Sequence, residues 1–574
     1  MLKLSSYRPM TAIGAILFLL ATPAFAQTVG GGSEQLYQWN GGSDLDSFGE
    51  SVSTAGDVNG DGFPDVIVGA WAADPGGLAD AGSAYAYSGA DGSLLYQWDG
   101  AAAGDNFGYS VSGAGDVNGD GFADVIVGAW AADPGGFSQA GSAYVYSGAN
   151  GSLLYQWDGT AMNEAFGISV SDAGEVNGDG FADVIVGSYW ASPGGLALAG
   201  SAYVYSGASG SLLHQWDGAA TFDRFGVSVS SAGDVNSDGA ADLIVGAHTA
   251  DPGGLSSAGS AYVYSGANGL LLYQWNGGAA DDLFGFSVSD AGDVNADGFA
   301  DVIVSGYAAD PGGLNVAGSA YVYSGANGSL LHQWDGEAED DLFGYSVSGA
   351  GDVNGDGFSD VIISAYVASP GMQMNAGSAY LYSGADGVLL YQWDGSAAFD
   401  FNGVSVSAAG DIDGDGFADV IVGANGADPG GLNAAGSVYV YSFHPYLLAN
   451  TSTIPAAAGA VLDLTLDFPD SAAFQDYITL MSITGTGPIF FGVGIPLSID
   501  SFLLDSATGV YPFAITSNLH GTLDASGNAS ASITFPAGVF NFAIGRTFWL
   551  AAVSLPTGLL PTHSSVVVAT EIVP

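Results

Sequence analysis

An acidic loop opens at Asp57, Asp116, Glu175, Asp234, Asp293, Asp352 and Asp411, each 59 residues after the last with no insertion or deletion. A tryptophan keeps the same step, at Trp39, Trp98, Trp157, Trp216, Trp275, Trp334 and Trp393. Strict self-similarity at this period restricts the chain to an array of equivalent supersecondary units. Each unit holds four short β-type segments, seen as Tyr109–Ser112, Val125–Gly128, Ser142–Tyr146 and Leu154–Trp157 in one copy, separated by Gly, Asn and Asp turns. No amphipathic helical pattern lies between them. Four strands per unit predict propeller blades rather than a solenoid. The first segment is small (Ser110, Ser112, Gly113, Ala114, Gly115), which suits a crowded centre, and the fourth carries Tyr and Trp, which suits a rim.

Counting the units also predicts how the ring closes. A Leu36–Trp39 segment precedes the first acidic loop, while the seventh unit runs into Phe443-His444-Pro445 with no such segment after it. Residues Glu34–Asn40 are therefore expected to pair with the third strand of the seventh unit, near Gly436–Ser442, and so cover two open sheet edges. The expected fold is all-β: a seven-bladed β-propeller over 34–442, closed by an N-terminal strand and followed by a small β-sandwich-like domain over 446–574. The latter rests on alternating segments such as Val461–Leu466 and Ala529–Phe535 with a turn cluster at Asp524–Asn528.

The acidic loops have the form D-x-N-x-D-G-x-x-D. Side chains at positions 1, 3, 5 and 9 offer hard oxygens, position 7 offers a backbone carbonyl, and Gly at position 6 permits the sharp turn, the ligand logic of a calcium loop. The candidate ligands are Asp57, Asn59, Asp61, Phe63 and Asp65 in the first loop, and Asp116, Asn118, Asp120, Phe122 and Asp124 in the second. The third offers Glu175, Asn177, Asp179, Phe181 and Asp183, and the fourth Asp234, Asn236, Asp238, Ala240 and Asp242. The fifth offers Asp293, Asn295, Asp297, Phe299 and Asp301, and the sixth Asp352, Asn354, Asp356, Phe358 and Asp360. The seventh offers Asp411, Asp413, Asp415, Phe417 and Asp419. An apolar residue such as Val68 stands at position 12 where an EF-hand has its bidentate Glu, so position 9 is expected to carry the strong ligand role. Three carboxylates about 4 Å apart repel by roughly 4 kcal/mol per pair at an effective dielectric of about 20. Up to seven Ca2+ ions are expected; without His or Cys in the loops, zinc and copper are disfavoured. The bland alternative is that Asp, Asn and Gly merely make good turns. Glu175, and the Ser237 and Ala240 of the fourth loop, are expected to weaken their sites, whereas Asp413 adds a charge where the others have Asn.

Phe107-Gly108, the Asp116–Asp124 loop and Val125-Ile126-Val127-Gly128-Ala129 together resemble the FG-GAP repeat family, known from the propeller at the head of integrin α-subunits. The resemblance covers about Glu34 to Ser442. It implies calcium at each first-to-second-strand loop on one face and partner binding by loops on the other, here the Asp-Pro-Gly-Gly segments such as Asp74–Gly77 and the turns before each Phe-Gly. Trp130 and Tyr189 stand where the family often has proline, and Phe401-Asn402-Gly403 displaces one aromatic by a position. With no leg domains or membrane span following, the chain resembles a free-standing relative.

Residues 1–26 read as a secretory signal peptide: Lys3 and Arg8, an apolar run from Thr11 to Leu20, and an Ala24-Phe25-Ala26 cleavage site. Its removal leaves Arg224 and Arg546 as the cations against 59 acidic residues. Such a charge disfavours nucleic acid and anionic membranes and favours cations. The 48% hydrophobic content argues against a disordered acidic chain. There is no cysteine, which excludes disulfides and Cys-ligated metals. Catalytic motifs are missing as well. His214 and His332 occupy rim positions held by Tyr in other units, and His248, His444, His520 and His563 lack metal-binding spacing. The expectation is a secreted or cell-surface binding or adhesion module for an extracellular protein or glycan, not an enzyme. A structural envelope or matrix protein, and a hydrolase-associated propeller, are the alternatives.

Overall fold

The computed structural model describes residues 29–445 and, beyond them, the backbone of further strands between 447 and 573. The leader expected at 1–26 lies outside the described residues. Six of the seven units form separate four-stranded antiparallel sheets in simple meander order. In blade 1 these are Ser51–Gly56, Asp65–Ala70, Ser83–Tyr87 and Leu94–Asp99. The second strand of every blade is buried along its whole length, as in Asp65–Ala70 and Asp124–Ala129, because it lies between two strands and two neighbouring blades. Its Val-Ile-Val run is what burial on both faces demands.

Blade 7 is composite. Its first three strands are Asn402–Gly410, Asp419–Ala424 and Ser437–Pro445, and its fourth is the N-terminal strand Val29–Asn40. Glu34 lies opposite Ser442 and Asn40 opposite Ser437, in the antiparallel register that strand counting predicts. The pairing also extends further, to Gly31 opposite Pro445.

Two repeated contacts join the blades. At the centre, the first strands of neighbouring blades touch one another, and a serine hydroxyl on each accepts the amide of a valine on the next, as Ser51 does from Val111 at 3.0 Å. At the rim, Trp98 stacks on Tyr146 of the next blade with centroids 5.1 Å apart, and its indole donates to the Gly151 carbonyl at 2.9 Å. The same stacking recurs from Trp39 on Tyr87 to Trp393 on Tyr441. Blade 7 has no hairpin glycine to receive the Trp393 indole, which donates instead to Ser33 Oγ at 2.9 Å. His214 and His332 take the rim tyrosine's place, each stacked on the tryptophan two residues on and bonded through Nε2 to a backbone carbonyl.

The displaced aromatic at Phe401-Asn402-Gly403 does not shift the backbone register. Asn402 takes the buried Phe position, its amide donating to the Ala376 carbonyl as that of Phe107 does to Ala81. Its side chain donates to the Trp393 carbonyl at 3.0 Å. Beyond blade 7, the segments expected to be strands lie in Gly459–Asp467 and Asn528–Pro536, which pair antiparallel with Val461 opposite Thr534. The turn cluster at Asp524–Asn528 falls largely outside the described residues, as does much of the remaining 446–574 region.

Candidate metal centres and the opposite face

All seven acidic loops lie on one face, between the first and second strands of their blades. In the second, Asp116 Oδ1 accepts the amides of Gly119 and Asp120 at 2.6 and 3.1 Å, and Oδ2 accepts that of Gly121 at 2.8 Å. Position 5 then turns back, Asp120 accepting the Phe122 amide at 3.1 Å. Glu175 makes the same backbone contacts with Gly178, Asp179 and Gly180 despite its extra methylene. The loop is folded around its own carboxylates before any cation is considered.

Position 9 differs from the rest. Asp124 is fully buried, with Oδ2 accepting the Val117 amide at 3.0 Å and Oδ1 that of Gly148 at 2.9 Å, in the hairpin between the third and fourth strands. Oδ1 also accepts the Asn118 side-chain amide at 3.4 Å. Burial pushes the carboxyls of Asp65, Asp124 and Asp183 up to about 6 and those of Asp242, Asp301 and Asp419 up to about 7, against the opposing pull of the backbone amides. Desolvation disfavours the anion, and a positive charge in the loop would restore it.

Among the described residues, three carboxylate oxygens lie mutually within 4.8 Å in the seventh loop alone, from Asp411, Asp413 and Asp419. Repulsion among three carboxylates therefore has its full force there, where Asp413 replaces the usual Asn. In each of the other six loops the position-3 side-chain amide donates to the position-9 carboxylate, as Asn177 and Asn236 do. Because blade 7 lacks the hairpin, Asp419 keeps the Ile412 amide on Oδ2 but has no hairpin-glycine amide for Oδ1; the Ser442 hydroxyl lies beside it. The seventh loop is thus the most acidic and the least satisfied by its own backbone. The donor set throughout is hard oxygen, which fits calcium chemistry.

The opposite face carries features that the motif does not announce. Residues just after several of the Phe-Gly pairs and second strands, together with Phe401, form two aromatic runs around the central opening. One passes through Trp71, Tyr109, Trp130 and Trp190 with centroid spacings of 6.3, 6.0 and 5.6 Å. The other passes through Phe286, Tyr345, Tyr366 and Phe401 at 5.1, 4.1 and 5.9 Å. Glu50 closes one gap between them, with Oε2 accepting Asn425 Nδ2 at 2.6 Å and burial holding its carboxyl above the ordinary value. Arg224, whose charge reaches Tyr189 and His248, borders the other. The indole nitrogen of Trp130, His248 Nδ1 and Asn425 Oδ1 are buried without a partner among the described residues. Trp130 and Tyr189, visible as departures from the family's proline, are the sequence trace of this face.

The FG-GAP repeat family model matches residues 48–87, 107–146, 225–264, 343–382 and 402–441. Five FG-GAP repeats are thus matched within the propeller. The chain is 32% identical to chicken (Gallus gallus) integrin alpha-V over 217 residues, which are 35% of this chain and 20% of the relative. It is 31% identical to Xenopus laevis integrin alpha-5 over 245 residues, 40% of this chain and 22% of the relative. The matched part thus spans about a fifth of the length of these curated relatives. No helix among the described residues is long and apolar enough to cross a membrane.

Proposed function

We propose that this protein is an exported, calcium-loaded propeller that acts as an extracellular or cell-surface binding or adhesion module, without catalysis of its own. Seven Ca2+ sites, one per acidic loop, stiffen one face, and the other face engages an extracellular protein or glycan. The observation that carries this reading is the pair of aromatic runs opposite the loops, partly buried and bordered by unpartnered polar atoms. Rigid rings with a few convergent polar groups are the usual lining of recognition sites. The leader at 1–26 supports export, and the likeness to integrin α-subunits supports adhesion.

The test is binding of the purified propeller to extracts of the producing cell's own surface, with calcium and with chelator. The Trp130→Ala/Trp190→Ala double variant should lose binding while keeping the wild-type melting temperature. Undiminished binding by that variant overturns the assignment of the face, and self-association as the one detectable interaction favours an envelope or matrix role.

A further inference from the structure

We propose that the gap between the third and fourth acidic loops is a slot for one aromatic side chain carried by a positively charged segment of a partner. In this ring of loops, the Phe at position 7 of one loop lies against the Gly at position 4 of the loop before it. A Cβ on Gly60 would stand 2.6 Å from the Phe122 ring, one on Gly119 2.6 Å from Phe181, one on Gly355 2.4 Å from Phe417, and one on Gly414 3.0 Å from Phe63. Gly178 breaks the series, because the following loop has Ala240 in place of Phe, and a Cβ on Gly178 would meet nothing within 4 Å. The vacated space is an open cavity of about 250 Å³, lined by Val176, Asn177, Gly178, Asp238, Ala240 and Ala267.

The chain itself defines the occupant's shape, since four equivalent positions are filled by a phenyl ring. Its charge follows from the surroundings. Each loop contributes three carboxylates, at positions 1, 5 and 9, so a bound divalent cation still leaves that loop net negative. A partner segment with basic residues beside its aromatic one is favoured there, and an acidic one is repelled. The slot lies on the loop face, away from the aromatic runs, so it stands whether or not those runs bind a partner.

The probe is the peptide acetyl-Lys-Phe-Lys-amide, with acetyl-Lys-Gly-Lys-amide as the ring-less control, titrated in calcium and followed by saturation-transfer NMR. The Phe ring protons are expected to receive saturation from the wild-type protein, and affinity should exceed that of the control by about tenfold or more. Ala240→Phe, which restores the residue of the other six loops, should abolish that difference; Ala240→Leu serves as a second filled variant. Equal binding of the two peptides, no binding of either, or a ring signal that survives in the filled variants would overturn the proposal.

Discussion

The amide of Val52 donates to Ser405 Oγ at 3.1 Å across 353 positions of sequence. It is the closing member of a set in which Ser51, Ser110, Ser169, Ser228, Ser287 and Ser346 each accept the amide of the valine on the next blade. Seven serines and seven valines thus form an unbroken ring at the propeller centre. The ring has a physical reason. The first strand of each blade is the innermost, so its edge toward the centre has no sheet partner, and an amide buried there without an acceptor is costly. A small side chain with a hydroxyl fits the crowded centre and supplies that acceptor.

Loss of one hydroxyl should therefore be felt well beyond its size. Ser110→Ala leaves the Val170 amide without its acceptor and should cost about 1–2 kcal/mol. Ser53→Ala, whose hydroxyl bonds only the carbonyl of its neighbour Thr54, should cost far less. Urea unfolding of the two variants side by side measures the difference, and equal midpoints would remove the ring from the list of stabilising features.

Closure by the N-terminal strand gives a sharper test. Deleting Glu34–Asn40 removes the partner of Ser437–Ser442 and bares that edge. It also deletes Trp39, which stacks on Tyr87 of blade 1. The truncated protein should aggregate or lose its cooperative transition, as read by light scattering and calorimetry. A chain ending at Pro445 should keep that transition, because blade 7 is complete at that point. A cooperative, monomeric product from the first deletion would contradict the closure.

Much of this architecture was legible because the repeat is rigid in length. The 59-residue step made strand counting an arithmetic matter, and an unpaired Leu36–Trp39 could complete only one blade. The loop residues were equally legible, since their chemistry is local in sequence. What escaped was assembled across blades. Ser110 read only as a small residue, because its partner Val170 lies 60 positions away in the next unit. Ala240 read as a weakening of its own loop, whereas its ring is missing from the neighbouring one. Three converging carboxylates were expected in every loop; among the described residues such a triad gathers where Asp413 supplies the third.

Calcium should stabilise the folded protein, by about 2.7 kcal/mol per site at a hundredfold excess over Kd. The seventh loop, with Asp413 and its less satisfied Asp419, should bind most tightly. Asp413→Asn should bring its affinity down to that of the other loops. Within the second loop, Asp124→Ala should cost more than Asn118→Ala, because it also strands the amides of Val117 and Gly148. Isothermal titration of each variant gives the ranking, and no binding at millimolar calcium would end the metal assignment.

Asp290, on the first strand of blade 5, should make stability depend on pH without serving the loops. Burial raises its carboxyl to about 6, against the lowering effect of its backbone hydrogen bonds. Its Oδ1 accepts the Gly292 amide at 2.8 Å, a role that the neutral hydroxyl of Ser231 fills for Gly233 one blade earlier. The bond needs an acceptor, not a charge. A folded value above the unfolded one, near 3.9, means that the native state binds the proton more tightly. This contribution to stability is whole below about pH 4, is lost as pH rises toward 6, and is absent above that. Asp290→Asn keeps the acceptor and removes the titration. It should match the wild type at pH 4 and exceed it at pH 7 by on the order of 1–3 kcal/mol, the opening falling between those values. Chemical denaturation of both proteins across pH 4–8 in constant calcium decides the matter, and a difference that does not change with pH would refute it.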